Sequence, residues 1–237
     1  LAVSAGPKDP KASSSFSIMF TGTGDPSVSF SLSFTNPDME LADALFLGCM
    51  AAFFGMDTQM IFEFRGMSEP LPPPALASLF YISADSGRSP ADILIMRRKG
   101  YGWGRLAKVY GLPANYHGKL VSISAKGGKK AGKVVTIYSW EDPRFEEAMY
   151  VRFISMYYAV PESHVVAWLS KGFTYSDITI GLNLSARARV APATILALRA
   201  KGTDWKSIAG KYKVRYEELA KPVPPKRTYP KKIYLHR

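Results

Sequence analysis

A mainly helical α+β fold is what this sequence predicts, on three observations. An apolar helix, a Lys-Gly pair and a second apolar helix recur three times along the chain. Near the start, Val28, Phe30, Leu32 and Phe34 alternate with Ser27, Ser29, Ser31 and Ser33, a period of two that places the apolar set on one face of a strand. Between two of the repeats, the stretch KLVSISAKGGKKAGKVVTIYSWEDP joins two β-rich runs through a Gly/Lys loop. The expected architecture is a small N-terminal β-hairpin plus helices, then helix-turn-helix-like helical repeats with a β-hairpin insertion.

Taken in order, residues 1–15 are small and polar and read as a loose arm. SFSIMF and SVSFSLSF flank the turn-rich TGTGDP and pair as a hairpin. The apolar segment Met39–Phe54, with a second short one at Thr58–Phe64, supplies the cover for its apolar face. Asn36, Pro37 and Asp38 mark the helix start, with Pro at or just before the first turn. SEPLPPPA, residues 68–75, reads as a stiff linker because runs of Pro favour extended chain. It separates an N-terminal region, 1–67, from a repeat region, 76–220. LASLFYISADSG then leads as a helix into the repeats.

The three repeats align without gaps on Lys99-Gly100, Lys171-Gly172 and Lys201-Gly202. After each pair, apolar residues fall at i, i+3, i+4 and i+7. They are Trp103, Leu106, Ala107 and Tyr110; Tyr175, Ile178 and Leu182, with Thr179 at the small position; and Trp205, Ile208, Ala209 and Tyr212. That spacing is one stripe of an α-helix. Gly suits the position just past a helix end, where the chain turns left-handed, and the preceding Lys is favoured by the helix dipole. Thr174 and Asp204 are natural N-caps. Each unit is therefore a helix, a Gly turn and a helix, with the ring at 103, 175 or 205 wedged between. Copies two and three stand 30 residues apart, as in helical arrays, whereas copies one and two stand 72 apart because of the insertion at about 119–145.

Charge is split along the chain. Residues 1–88 carry four Lys/Arg and nine Asp/Glu; residues 89–237 carry 27 and 10, a net of +17 within a total of +12. Such a split points either to an anionic partner for the second region or to a solvated basic face. The cations that could meet one are Lys126, Lys129, Lys130 and Lys133 on the insertion loop, and Arg187 and Arg189 between copies two and three. Lys226, Arg227, Lys231 and Lys232 stand on the Pro-rich basic tail, 221–237, which reads as an extended arm.

Catalytic and cofactor patterns find little support. GKKAGKV begins like a phosphate-binding loop, but Val134 stands where Ser or Thr must hold Mg²⁺, and strand-like residues follow. His117, His164 and His236 lack partners at metal-ligand spacing. Cys49, the sole cysteine, lies in an apolar run and excludes an internal disulfide. No cofactor is expected, and the balance leans away from an enzyme. Val3, Ser4 and Ala5 have the small-residue pattern of a signal cleavage site, so export is expected, with a cytoplasmic location as the alternative.

The repeat resembles the first two helices of bacterial helix-turn-helix domains of the sigma-factor and resolvase kind: an apolar helix, Gly, x, x, Trp, x, x, Ile/Leu-Ala, then Gly-Leu or Val. The likeness spans about 89–121 in copy one and 191–220 in copy three. It implies a third helix entering the DNA major groove, ANYHGKLV in copy one and RYEELAKP in copy three. Asn115 and Lys119 would then contact bases and phosphates. The leading expectation is a non-enzymatic interaction scaffold whose basic surface meets an anionic macromolecule, either nucleic acid or envelope polymer, or another protein. DNA binding is the alternative.

Overall fold

Helix α1 (Pro37–Phe54) begins where Pro fits the first turn and is apolar on every side. A helix of that kind has no face to give to water. Leu41, Leu45, Phe46, Cys49, Met50 and Phe53 are accordingly all buried. The computed structural model describes residues 16–18, 30–32, 37–57, 61, 71–113, 116, 120–123, 134–137, 142–231 and 233. No helix among them is long and apolar enough to cross a membrane.

Around α1 stand three further long helices: α2 (Pro73–Ser86), α5 (Asp142–Tyr158) and α7 (Tyr175–Ala188). Between and outside them run the short helices α3 (Pro90–Arg98), α4 (Trp103–Val109), α6 (Glu162–Ser170), α8 (Pro192–Ala200) and α9 (Trp205–Lys211). A 3₁₀ turn, Tyr216–Ala220, closes the series. Helix α2 lies along α5, and α1 packs against α7 and the 3₁₀ turn. Phe46 and Phe53 of α1 meet the Phe153 ring edge-on, each at 5.2 Å between centroids.

Three expectations are corrected here. The fold class is all-α rather than α+β: the body of the fold is 69% helix and contains no sheet. Neither expected hairpin forms a layer of the fold. Among the described residues, pairing there consists of backbone ladders of Phe16–Ile18 with Phe30–Leu32 and of Leu120–Ile123 with Val134–Ile137. Every described core residue lies on a helix or a connection between helices. A two-stranded ribbon has too little apolar surface to anchor a core, and here the helices cover one another instead. Helix α1 serves the bundle, with its described core residues packed among the other helices.

The second correction concerns the Pro-rich linker. Pro73 and Pro74 open α2, where their missing N–H groups cost nothing, and Pro74 and Ala75 are buried. Residues 73–75 thus belong to a helix and not to an extended linker, and among the described residues one continuous apolar core joins α1 to the repeats. Third, the insertion ends earlier than expected, because residues 142–145 already belong to α5.

Candidate functional site

The three Lys-Gly turns have one geometry. Gly100, Gly172 and Gly202 have φ of 86°, 87° and 82°. Each donates its N–H to the carbonyl three residues back, of Arg97, Leu169 and Arg199, at 2.9 Å. The following N–H groups, of Tyr101, Phe173 and Thr203, reach back to Met96, Trp168 and Leu198 at 3.2, 3.2 and 3.3 Å. This double closure satisfies the end carbonyls and needs the left-handed backbone that Gly adopts without strain.

The identity of the three units extends upstream of what the stripe revealed. Ser83, Ser155 and Ser185 each donate their hydroxyl to the carbonyl five residues on, of Arg88, Val160 and Val190. In each case the chain turns left-handed just before that carbonyl, at Gly87, Ala159 and Arg189, with φ of 68°, 55° and 54°. The structural unit is thus a 30-residue block, 83–112, 155–184 and 185–214, with copies two and three contiguous. In sequence, the signal was the recurrence of Ser at one distance before the Gly.

The wedge residues differ by copy. Trp103 and Trp205 are buried, whereas Tyr175 is half-buried, with its ring edge-on to Tyr150 at 4.6 Å. In copies one and three an Arg lies over the indole, Arg97 at 4.3 Å and Arg199 at 5.3 Å from the ring centroid. Each of these cations is held by a carboxylate of another element, Arg97 by Asp142 and Arg199 by Asp177 at 2.8 Å. Copy two has Leu169 at that place and no such stack. Leu106, Ile178, Leu182 and Ile208 are buried, while Tyr110 and Tyr212 are partly exposed at the outer end of the stripe.

Capping follows the same logic with one exchange. Thr174 and Asp177 form a reciprocal capping box on α7, and Asp204 accepts from the Ser207 N–H at 2.9 Å on α9. On α4 the cap residue is Gly102, which has no side chain. Asp142 at the start of α5 replaces it, accepting the Trp103 N–H at 2.6 Å. A Cβ at Gly102 would lie 2.9 Å from the Asp142 Oδ1, so the bare glycine makes room for the borrowed cap. Nearby, burial pushes the Glu146 carboxyl above its ordinary range even though it accepts from the Trp103 indole N–H.

The expected free arm is instead a strap, a further correction for the described part of the tail. Asn183 of α7 donates to the Leu219 and Lys221 carbonyls, each at 3.0 Å, and accepts from the Val223 N–H at 3.0 Å. The Lys226 N–H bonds to Tyr157 O and the Tyr229 N–H to Phe53 O, both at 2.8 Å. Tyr229 then meets Asp85, whose Oδ2 accepts from Tyr116 at 2.7 Å and Tyr229 at 2.8 Å, while Lys231 pairs with Oδ1 at 2.9 Å. Burial opposes ionisation of Asp85, but the bonds from Tyr116, Lys231 and Tyr229 outweigh it and hold its carboxyl below the ordinary range. Arg152 lies over the Tyr81 ring at 4.7 Å beside this cluster. The strap is held because its Pro residues need few ladder bonds and its rings fill the gap between α1 and α2.

The candidate anion contacts are dispersed. Asn115, Lys119, Lys126, Lys129, Lys130, Lys133 and Lys232 lie outside the described residues. Arg187 donates to the Lys221 carbonyl at 2.6 Å and lies 3.8 Å from Glu218, so it serves the strap. Arg189 is exposed at the end of α7. Lys226 and Arg227 point outward, and Lys231 is paired with Asp85. The third helix implied for copy three is a five-residue 3₁₀ turn with Leu219 and Ala220 buried. In copy two, α7 runs on to a short turn and then α8.

What sequence reasoning missed is the outer face of copy three. Lys201, Lys206, Lys211 and Lys213 are exposed there, against the single exposed carboxylate of Asp204 within block three. Between α8 and α9 lies an open groove of about 450 Å³, lined by Ala193, Thr194, Ala197, Leu198, Lys201, Lys211 and Tyr212. Among the described residues, no group of three or more His, Cys, Asp or Glu gathers as a metal site. Cys49 is buried at 3.5 Å from the Tyr158 hydroxyl, and burial pushes its thiol up to about 12. No family model, curated protein or solved structure matches the chain.

Proposed function

We propose that this chain is a non-catalytic interaction module whose helical blocks form a rigid scaffold and whose outer blocks present cations to an anionic macromolecule. The observation that carries the reading is the uneven placement of charge on one repeated frame. Blocks one and three hold six and seven Lys/Arg, whereas block two holds only Lys171. Arg97, Arg199 and Arg187 are held by the frame and the strap, but the other five cations of each outer block are not required by the shared fold, so that charge belongs to its surface. The short 3₁₀ turn after α9 favours this over the alternative of DNA reading through a third helix, because it leaves copy three no free helix for a major groove.

The test is retention of the full chain on heparin, oligoglutamate and duplex DNA over a range of salt. Binding at low salt is expected, with affinity falling steeply as salt rises and no preference among DNA sequences. Changing Lys201, Lys206, Lys211 and Lys213 to Gln should reduce the salt slope. Absence of binding to every polyanion at low salt overturns the reading.

A further inference from the structure

The groove between α8 and α9 combines two kinds of surface. Ala193, Ala197, Leu198 and the Tyr212 ring give it an apolar floor beside Thr194, and Lys201 and Lys211 complete the lining. Neither lysine pairs with a carboxylate among the described residues, whereas the neighbouring guanidinium of Arg199 is held by Asp177 and the Trp205 face. The cations left for a ligand are thus ammonium groups, point charges on flexible stems that reach an anion without fixing its geometry.

Comparison among the blocks sharpens the point. In block one the residues at the places of Ala197 and Lys211 are Ile95 and Val109, 49% and 55% exposed, the exposed large apolar side chains among the described residues. In block two the place of Lys211 is Gly181, whose built Cβ would lie 2.7 Å from Leu196 of the following block. Stacking therefore covers this face in the middle block and leaves it open in the outer two. Block three has the smaller Ala197 where block one has Ile95, which hollows the floor, and Lys211 where block one has Val109, which charges the rim.

We infer that this groove binds an acidic peptide with an apolar anchor, the apolar side chain lying on the floor at Ala197 and Leu198 and flanking carboxylates meeting Lys201 and Lys211. Charge complementarity calls for an anionic occupant, and the apolar floor favours a peptide with an apolar side chain over duplex DNA, whose stacked bases and phosphates have no apolar group to place there. The inference rests on the interaction reading above and deepens it to one site.

The experiment uses the full chain and a fluorescently labelled short peptide of alternating Glu and Leu, read by anisotropy. Three comparison probes are an oligoglutamate of equal charge, the Gln/Leu counterpart and a duplex DNA of equal charge. The Glu/Leu peptide should bind about tenfold more tightly than any of them. The double change Lys201→Glu and Lys211→Glu should abolish that preference. Ala197→Trp, at an exposed position, should fill the floor and weaken the Glu/Leu peptide about tenfold while leaving oligoglutamate unaffected. Lys99→Glu, the block-one counterpart of the Lys201 change, should leave the affinity unchanged. Equal binding of oligoglutamate and the Glu/Leu peptide, tighter binding of DNA, or indifference to the Lys201/Lys211 change overturns the groove while leaving the polyanion reading in place. Failure of all charged probes at low salt overturns both.

Discussion

Replacing Asp142 by Ala removes two interactions at once, and the structure supplies a way to restore only one of them. The carboxylate caps α4 from outside through the Trp103 N–H, a contribution of about 1 kcal/mol by analogy with ordinary N-caps. It also pairs with Arg97, both side chains being about a quarter exposed, which adds about 0.5 kcal/mol. Asp142→Ala should therefore cost about 1.5 kcal/mol. With a urea dependence of about 2 kcal/mol per molar, the unfolding midpoint falls by a little under ~1 M. Gly102 has φ −69° and ψ 157°, a backbone that Ser adopts as an N-cap, but its Cβ would collide with Asp142 Oδ1. Gly102→Ser alone should thus destabilise by up to about 1 kcal/mol by displacing the carboxylate. In the double variant the obstacle is gone and Ser takes over the cap, leaving about 0.5 kcal/mol lost with the ion pair, so the total loss should be smaller than the sum by about 1–2 kcal/mol. Urea titrations of the four proteins, followed by far-UV circular dichroism, measure the cycle. Strict additivity, with the double variant the least stable, would refute the borrowed-cap argument.

Other expectations follow from the same frame. Trp103→Ala and Trp205→Ala should each lower stability by about 3–5 kcal/mol in denaturant titrations, and Tyr175→Ala by less because its ring is half-exposed. Asp85 has a folded pKa below its unfolded one, so its contribution is complete above the unfolded value near about 4 and is lost as pH falls through the depressed folded value. Acid titrations of stability should accordingly be flatter for Asp85→Asn in that window; an unchanged slope contradicts the network. Cys49 should resist alkylation at mildly alkaline pH in the native protein and react only on unfolding, which mass spectrometry across a urea series would show.

The sequence announced the second half of each block clearly. The stripe of Trp103, Leu106 and Ala107 and its two counterparts is a period that only a helix satisfies, and the Lys-Gly pairs mark the turn. The turn that opens each block, ahead of its first helix, was hidden by chemistry. Ala159 and Arg189 adopt the backbone that Gly87 signals openly, and the hydroxyls of Ser83, Ser155 and Ser185 look like ordinary polar filler until their carbonyl partners are seen. The error in fold class has a cause of the same kind. Alternation of Ser with Phe, Leu and Val says which side of a strand is apolar, but not whether anything covers it. The Pro run misled because Pro favours both extended chain and the first turn of a helix, and only the burial of Pro74 and Ala75 separates the two. The α4 cap and the groove were out of reach, since Asp142 is 39 residues from Trp103 and Lys201 meets Lys211 only through a helical hairpin.

The strap changes how this array comes apart. In an open stack, each unit touches only its neighbours and the ends fray first. Here residues 219–231 fasten α7, α5, α1 and α2 together, reaching back to the earliest of the long helices. A chain emerging from the ribosome cannot complete this belt until residues 219–231 are out, well after the long helices they fasten, and cutting the belt near Val223 loosens every long helix together. Loss of structure should therefore be concerted across the blocks, more like a buckle released than a row of bricks shed one by one.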